Sequence, residues 1–405
     1  MKIGIITNLY PPYLRGGAEH VIVRTVEALL DLDHDVFVVS SRPKGKWGHR
    51  LVFDKTTTER VYRFFPRNLY YILDDHKHSW LVRLAWHVID TFYPYGPRKI
   101  RKVLAEENPE VLITHNLKGI GLSIPRFIQK RGIPHVHVVH DLQLIYPSGL
   151  LFSGLEKIPR YRQPFYSIYQ KICQRQLGRP DLVIFPSSYL KSEYIKLGFF
   201  QDTDVVVMPN PAPRFSLVKR ELKLDGPVKL LFVGQLEEYK GIRFLLDAFR
   251  DLDIDARLII AGEGTCVDLV QHRAENDKRI TYLGYISLDQ LLNCFSISDA
   301  LVVPSLCYEN SPTVIYESLQ SGVPVLASDI GGVGELVQDE RNGFLFQPGS
   351  KTAFLAAVKK FADRRIAFAA SPEAIQSTIA PYALDNYTQA LLAKLQKVID
   401  DKQIR

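Results

Sequence analysis

Cysteine is scarce in this chain and methionine scarcer: four Cys and two Met stand among 405 residues. The cysteines (Cys173, Cys266, Cys294 and Cys307) show no Cys-x-x-Cys spacing. That pattern argues against a zinc site and for reduced thiols in a cytosolic setting. No stretch reaches the roughly 20 uninterrupted apolar residues of a membrane span. The opening MKIGIITNLYPP lacks signal-peptide character, because its apolar run is short and Pro-Pro and Gly-Gly follow it. A soluble, cytoplasmic protein is expected. A Gly-x-Gly-x-x-Gly fingerprint is absent after either first strand, which disfavours a nicotinamide oxidoreductase. No recognition motif for nucleic acid accompanies the basic charge.

What is present points to a large folded globular protein. Apolar residues make up 46% and charged residues 23% of the chain, the balance of a globular protein. At this length two domains are the expectation. The net charge of +7 is unevenly spread. Residues 1–215 carry 30 Lys+Arg against 19 Asp+Glu (+11), and residues 216–405 carry 21 against 25 (−4). Different partners for the two halves, or a merely basic surface on the first, both fit this asymmetry.

Short β-branched runs recur twice along the chain. KIGIIT, DVFVVS, EVLITH, HVHVVH and DLVIFP form the first set; VKLLFVG, ARLIIAG, ITYLG, DALVVPS, VPVLAS and GFLF form the second. Stretches with helical spacing separate them. Alternation of this kind predicts two α/β, doubly wound Rossmann-like domains with parallel sheets. The Pro-rich MPNPAPRFS, 208–216, marks the break, giving domains 1–212 and 213–381. The last segment, about 382–405, places Tyr387, Leu391, Leu392 and Leu395 on one helical face. It is expected to pack back onto the first domain.

Doubly wound sheets bind ligands at the carboxyl ends of their strands, which selects the loops worth reading. After the first strand, Gly16 and Gly17 precede a helix whose free N–H groups favour an anion; a tight turn explains a Gly-Gly pair equally well. In VGQLEEYKG, Lys240 and Gly241 open a helix, where a cation is locally unfavourable and a bound anion would remove the conflict. AGEG ends the next strand, with glycines that permit close approach, Gly264 among them.

The stretch ENSPTVIYE, Glu309 to Glu317, is the most informative. Ser311 suits an N-cap and Pro312 a first helical position. The amides of Thr313 and Val314 would then face a phosphate. Glu317 lies five residues past Pro312, about 7.5 Å along the axis, and Glu309 lies before the cap. Two carboxylates flanking a phosphate position suit a ligand with hydroxyls on both sides of a diphosphate, as in a nucleotide sugar.

The ordered set GGAE, HD, PSSYL, PN, VGQL…KG, AGEG, LG and two glutamates separated by seven residues resembles a retaining glycosyltransferase of family 4. The resemblance spans essentially the whole chain. It implies the GT-B architecture, two Rossmann-like domains with the active site in the cleft between them. It also implies transfer of a hexose, UDP-glucose favoured, to a sugar or lipid-linked glycan acceptor in polysaccharide or glycan biosynthesis. A GDP-mannose-dependent mannosyltransferase and a nucleotide-sugar-binding or epimerising protein of the same fold are the alternatives. By this resemblance Glu309 stands near the donor sugar and Glu317 bonds the ribose. Lys240 neutralises the diphosphate, and Thr313 and Val314 contact it through backbone. Gly16 and Gly17 belong to the loop that closes on the phosphates. His140, in VVHDL, stands beside the sugar, and the base lies against Gly284 and Tyr285.

Gln235 occupies the position where such enzymes carry arginine, so half of the cationic pair is absent; Arg15 is the candidate to replace it. No Asp-x-Asp element stands where a metal–diphosphate bridge would need it, so turnover without metal or other cofactor is expected. The acceptor should meet the first domain. There, residues 76–99 and 143–171 mix aromatic, aliphatic and basic side chains. That mixture suits peripheral contact with an anionic membrane, and equally a core whose charges are solvated.

Overall fold

The computed structural model describes residues 1–404 except 55–58, 93–95, 153–162, 216–218 and 222–223. Parts of the two aromatic-basic segments, and Ser216 at the expected break, therefore lie outside the described residues. The chain divides into two compact units. One comprises Met1–Leu150, Ile158–Pro209 and Leu384–Arg405; the other comprises Leu151–Lys157 and Asn210–Ala383.

The first unit is built on eight strands: β1 (Lys2–Ile6), β2 (Asp35–Ser41), β3 (Val52–Asp54), β4 (Arg60–Phe64), β5 (Val111–Thr114), β6 (His135–Val138), β7 (Leu182–Phe185) and β8 (Asp204–Val207). They lie in the order β3-β4-β2-β1-β5-β6-β7-β8. All pairings are parallel except β3 on β4. Ile3, Ile5, Val38, Val111, Ile113 and Val136 are buried, because a parallel sheet is covered on both faces and its strands read as unbroken β-branched runs. The short strands β3, β4 and β8 add to the five that the hydrophobic runs mark. They carry Asp54, Arg60, Arg63 and Asp204, and those charges hide them from a hydrophobic reading.

The C-terminal helix Leu384–Ile404 belongs to this unit. Its buried stripe of Tyr387, Leu391, Leu395, Val398 and Ile399 shares a core with Ile22, Val26 and Leu29 of the helix Gly17–Asp31. Each such aliphatic side chain contributes about 1.5–3 kcal/mol on full burial. The stripe is therefore a principal fastening of the terminus.

The second unit holds β9 (Val228–Val233), β10 (Ala256–Ala261), β11 (Ile280–Tyr282), β12 (Ala300–Val303), β13 (Val325–Ser328) and β14 (Gly343–Phe346). They form an all-parallel sheet in the order β11-β10-β9-β12-β13-β14. Both sheets are doubly wound. Strand order reverses between β1 and β5 in the first and between β9 and β12 in the second. The carboxyl ends of these strand pairs are the crevices where such folds place ligands.

Candidate functional site

In the second unit, the chain after β9 passes Gln235, makes one turn of 3₁₀ helix at Glu238–Lys240, and enters the helix Ile242–Arg250 through Gly241. Gly241 has φ +78°, and a Cβ there would lie 1.8 Å from the Pro304 carbonyl oxygen at the end of β12. Only glycine fits, and the tight approach holds Lys240 against the neighbouring strand. The amides of Leu306 and Cys307 donate to the Tyr239 carbonyl at 2.9 and 3.2 Å, which ties the two loops together.

This clamp brings Lys240 to Glu309. The ammonium donates to Glu309 Oε1 at 2.7 Å, and the Ser305 hydroxyl donates to the same oxygen at 2.6 Å. Glu309 is buried. Its carbonyl accepts from the Gly332 amide at 2.7 Å, and a Cβ on Gly331, φ +65°, would lie 2.2 Å from that carbonyl oxygen. Burial pushes the Lys240 pKa down, but the attraction of Glu309 outweighs it and leaves the ammonium more basic than usual. Burial raises the Cys307 thiol to about 12, with Glu309 adding to the effect. The anion that relieves the cation at this helix start is thus Glu309 itself, two candidate residues that the sequence had given separate tasks.

The helix Thr313–Gln320 follows. Its N-cap is Pro312, with φ −66° and ψ 119°, and not Ser311 as the Ser-Pro pattern suggested. The residue before a proline is biased towards extended backbone, and the Ser311 hydroxyl is engaged elsewhere, 2.8 Å from the Tyr316 hydroxyl. The Ser311 carbonyl accepts from Asn210 Nδ2 at 3.0 Å. The first turn retains the expected character: the Ile315 amide bonds Pro312, while Thr313 and Val314, at the first two positions, have no intrahelical acceptor. Glu317 sits half-buried one turn on.

The remaining candidates of this unit lie around the same crevice with varied roles. Gln235 Oε1 accepts from the Tyr239 hydroxyl at 2.6 Å, so this uncharged substitute is fixed beside the lysine turn. Gly262 and Gly264 both have positive φ, and their close approach is to protein: Cβ atoms there would meet Gly234 O at 1.8 Å and Leu236 O at 2.5 Å. Gly264 is therefore required by the loop's own packing. Gly284 has φ +70° and Tyr285 is 76% exposed, a ring open to a stacking partner.

In the first unit, Gly16 caps the helix Gly17–Asp31 in extended backbone. The buried Glu19 carboxylate reaches back to the Gly16 amide at 2.7 Å and the Arg15 amide at 3.4 Å. The expected free amides are thus partly taken by a side chain of the same GGAE motif. Burial pushes the Glu19 pKa up, against those hydrogen bonds.

His140 follows β6 and meets His115, which follows β5. Their Nε2 and Nδ1 atoms lie 2.8 Å apart and their rings stack with centroids 5.1 Å apart. Both histidines line a small cavity of about 30 Å³ together with Asp90, Lys118, Asp141 and Tyr169. Burial lowers His140 to about 4 and takes His115 well below its usual range. It raises Asp90 to about 7 and Asp141 to about 6. The sequence marks His140 as a candidate but not His115, Asp90 or Lys118. His115 ends EVLITH, one strand over, and the rule of strand carboxyl ends could have found it.

The chain as a whole is similar to known proteins. Residues 15–213 match the family model "Glycosyltransferase Family 4", and residues 214–376 match "Glycosyl transferases group 1". An uncharacterized glycosyltransferase of Methanocaldococcus jannaschii is 35% identical over 348 residues, covering 85% of this chain and 84% of the relative. The chain belongs to the family 4 glycosyltransferases.

Two solved structures show the same GT-B fold. Sucrose-phosphate synthase from Thermosynechococcus elongatus superposes with a TM-score of 0.77 at 16% identity, covering 99% of this chain and all of that one. Anabaena HepE in complex with UDP-glucose gives 0.66 at 17% identity, covering 98% and 100%.

Proposed function

We propose that the protein transfers a hexose from a nucleotide sugar, UDP-glucose favoured, to a sugar or lipid-linked glycan acceptor with retention of anomeric configuration. The observation that carries this reading is the Lys240–Glu309–Ser305 cluster at the switch point of the second sheet, directly before the helix start at Thr313. An ammonium has three donors, and one goes to Glu309. Lys240 also serves the leaving diphosphate, together with the Thr313 and Val314 amides, where negative charge grows as the anomeric bond breaks. Glu309 fixes the lysine and bonds sugar hydroxyls. Glu317 holds the ribose, and Tyr285 and Gly284 meet the base. Gly16, Gly17 and Gly264 give backbone approach, Ser311 and Gln235 set the loops, and His140 offers a neutral imidazole to a sugar hydroxyl. This donor set works without a metal or other cofactor. UDP-glucose in the HepE complex supports the donor assignment; a GDP-linked mannose fits the same diphosphate chemistry.

Peripheral contact of the basic first unit with an anionic membrane, on the cytoplasmic side, belongs to the same reading. No helix among the described residues is long and apolar enough to cross a membrane, and flotation with anionic vesicles at low and high salt tests the contact. The roles of the two glutamates separate kinetically. Glu317→Gln should raise the donor KM about tenfold with kcat nearly unchanged, the loss of one hydrogen bond to a charged group. Glu309→Gln should lower kcat about 100-fold. Equal effects of both on KM alone would refute the division of labour. Reversible sugar interconversion without transfer from a labelled donor would favour an epimerase.

A further inference from the structure

An apolar groove of about 660 Å³ runs between the helices Trp80–Thr91 and Gln163–Leu177 of the first unit. Trp80, Leu84, Val88, Phe92, Phe165 and Ile168 line it, and each is between 46% and 70% exposed. The spacing explains the exposure. Residues 80, 84 and 88 recur every fourth position and 165 and 168 every third, so each helix turns an apolar stripe outward. The helix Trp80–Thr91 meanwhile buries Trp86 and Asp90 on its inner side. A contiguous exposed apolar surface of this kind marks a binding site.

The charge pattern selects the occupant. His87, Thr91 and Tyr169 line both this groove and the small cavity that His115 and His140 also line. At their junction the Lys118 ammonium donates to the carbonyl of Pro147, itself a groove residue, at 3.2 Å. Arg83 stands in the groove wall, paired with Asp75 at 2.9 Å. An apolar trough therefore leads to a cation and then to the carboxyl ends of β5 and β6. A second copy of the chain or a flat protein face would cover the trough and leave the polar junction unused. A molecule with a hydrocarbon tail and an anionic head satisfies both parts.

We propose that the groove holds the hydrocarbon chain of a lipid phosphate acceptor, with its head at Lys118. The term acceptor rests on the transfer reading above; the binding site does not. Farnesyl phosphate, kept below its micelle-forming concentration, serves as the probe with the full chain. The readout is tryptophan fluorescence, with Trp80→Phe assigning the signal to Trp80. Saturable one-to-one binding is expected, weakened at least tenfold by Leu84→Glu and by Val88→Glu, both surface changes. Lys118→Gln should weaken farnesyl phosphate about fivefold and leave farnesol unchanged.

Unchanged affinity in both groove variants would overturn the proposal. So would binding to anionic vesicles without binding to the dispersed probe, which makes the face a membrane contact. Concentration-dependent dimerisation abolished by Val88→Glu would assign the groove to a second copy, and binding seen only after replacement of 153–162 would assign it to that segment; either result overturns it. Nucleotide-sugar thermal shifts are the independent control. If farnesyl phosphate binds as described and no nucleotide sugar stabilises the protein, the groove stands and the transfer reading falls.

Discussion

The two sheets solve opposite electrostatic problems at equivalent places, the carboxyl ends of their central strands. In the second unit Lys240 and Glu309 form an ion pair at 2.7 Å, and the attraction of Glu309 holds the Lys240 ammonium. In the first unit His115, His140, Asp90 and Asp141 gather with few counter-charges, and burial drives each towards neutrality. Desolvation acts on both clusters, and a matched opposite charge decides which remains ionic. Under the proposed function, the charged cluster serves the developing anion and the neutral cluster the sugar hydroxyls.

Removing the cation should break this contrast most sharply. Lys240→Met is expected to lower transfer about 1,000-fold, the upper range for loss of a preorganised donor. It should also cost about 2 kcal/mol of stability, since among the described residues Glu309 then keeps only the Ser305 hydroxyl as a side-chain partner. Adding Glu309→Leu to that variant should restore stability but not activity, because the pair's stabilisation is largely the avoidance of an orphan charge. Denaturant melts of the single and double variants, alongside initial rates, check both parts. Retained rates in Lys240→Met would remove this residue from the site.

A smaller effect lies in the neutral cluster. Asp90 has its folded pKa raised to about 7, against about 3.9 unfolded. A raised value means that its contribution is present below about pH 4 and is lost as pH rises through 7. Asp90→Asn keeps the acceptor for the Gly119 amide, 2.8 Å away in the native chain. It should stabilise the protein at pH 8 by about 2 kcal/mol and have almost no effect at pH 4. Equal gains at both pH values would show that Asp90 is ionised in the fold.

The histidines give the opposite sign. His140 is lowered to about 4, so its contribution is full above about pH 6.5 and is lost as pH falls towards 4. His140→Gln should flatten the stability profile between these limits by at most about 1.4 kcal/mol per pH unit. A profile identical to the parent's would mean that the imidazole titrates normally.

Much of this was legible in the sequence, and the gaps have causes. The β-branched runs marked eleven strands and the two-sheet plan, because parallel strands buried on both faces leave an unbroken signature. ENSPTVIYE and VGQLEEYKG stood out from their residue types and from their positions after strands, which the structure places at β12 and β9. Their pairing was not, because Lys240 and Glu309 lie 69 residues apart and no local rule joins them. The Gly241–Pro304 contact that enforces it exists only once β9 and β12 are neighbours. Ser311 was misread as a cap because its hydroxyl had a better partner in Tyr316, five residues on. His115 follows an otherwise ordinary core strand, β5, with no motif around it to mark it.

The most direct test is a thermal-shift panel of UDP, GDP and ADP and their sugars, run on the parent chain and on Lys240→Met. A ligand at 100 times its Kd stabilises the folded state by about 2.7 kcal/mol. That corresponds to roughly 5–10 °C for a unit of this size. One nucleotide sugar should raise the parent's Tm by that amount and leave Lys240→Met almost unmoved. No shift with any member of the panel, or a shift of equal size in both proteins, would contradict the assignment of the Lys240–Glu309 cluster as the donor site.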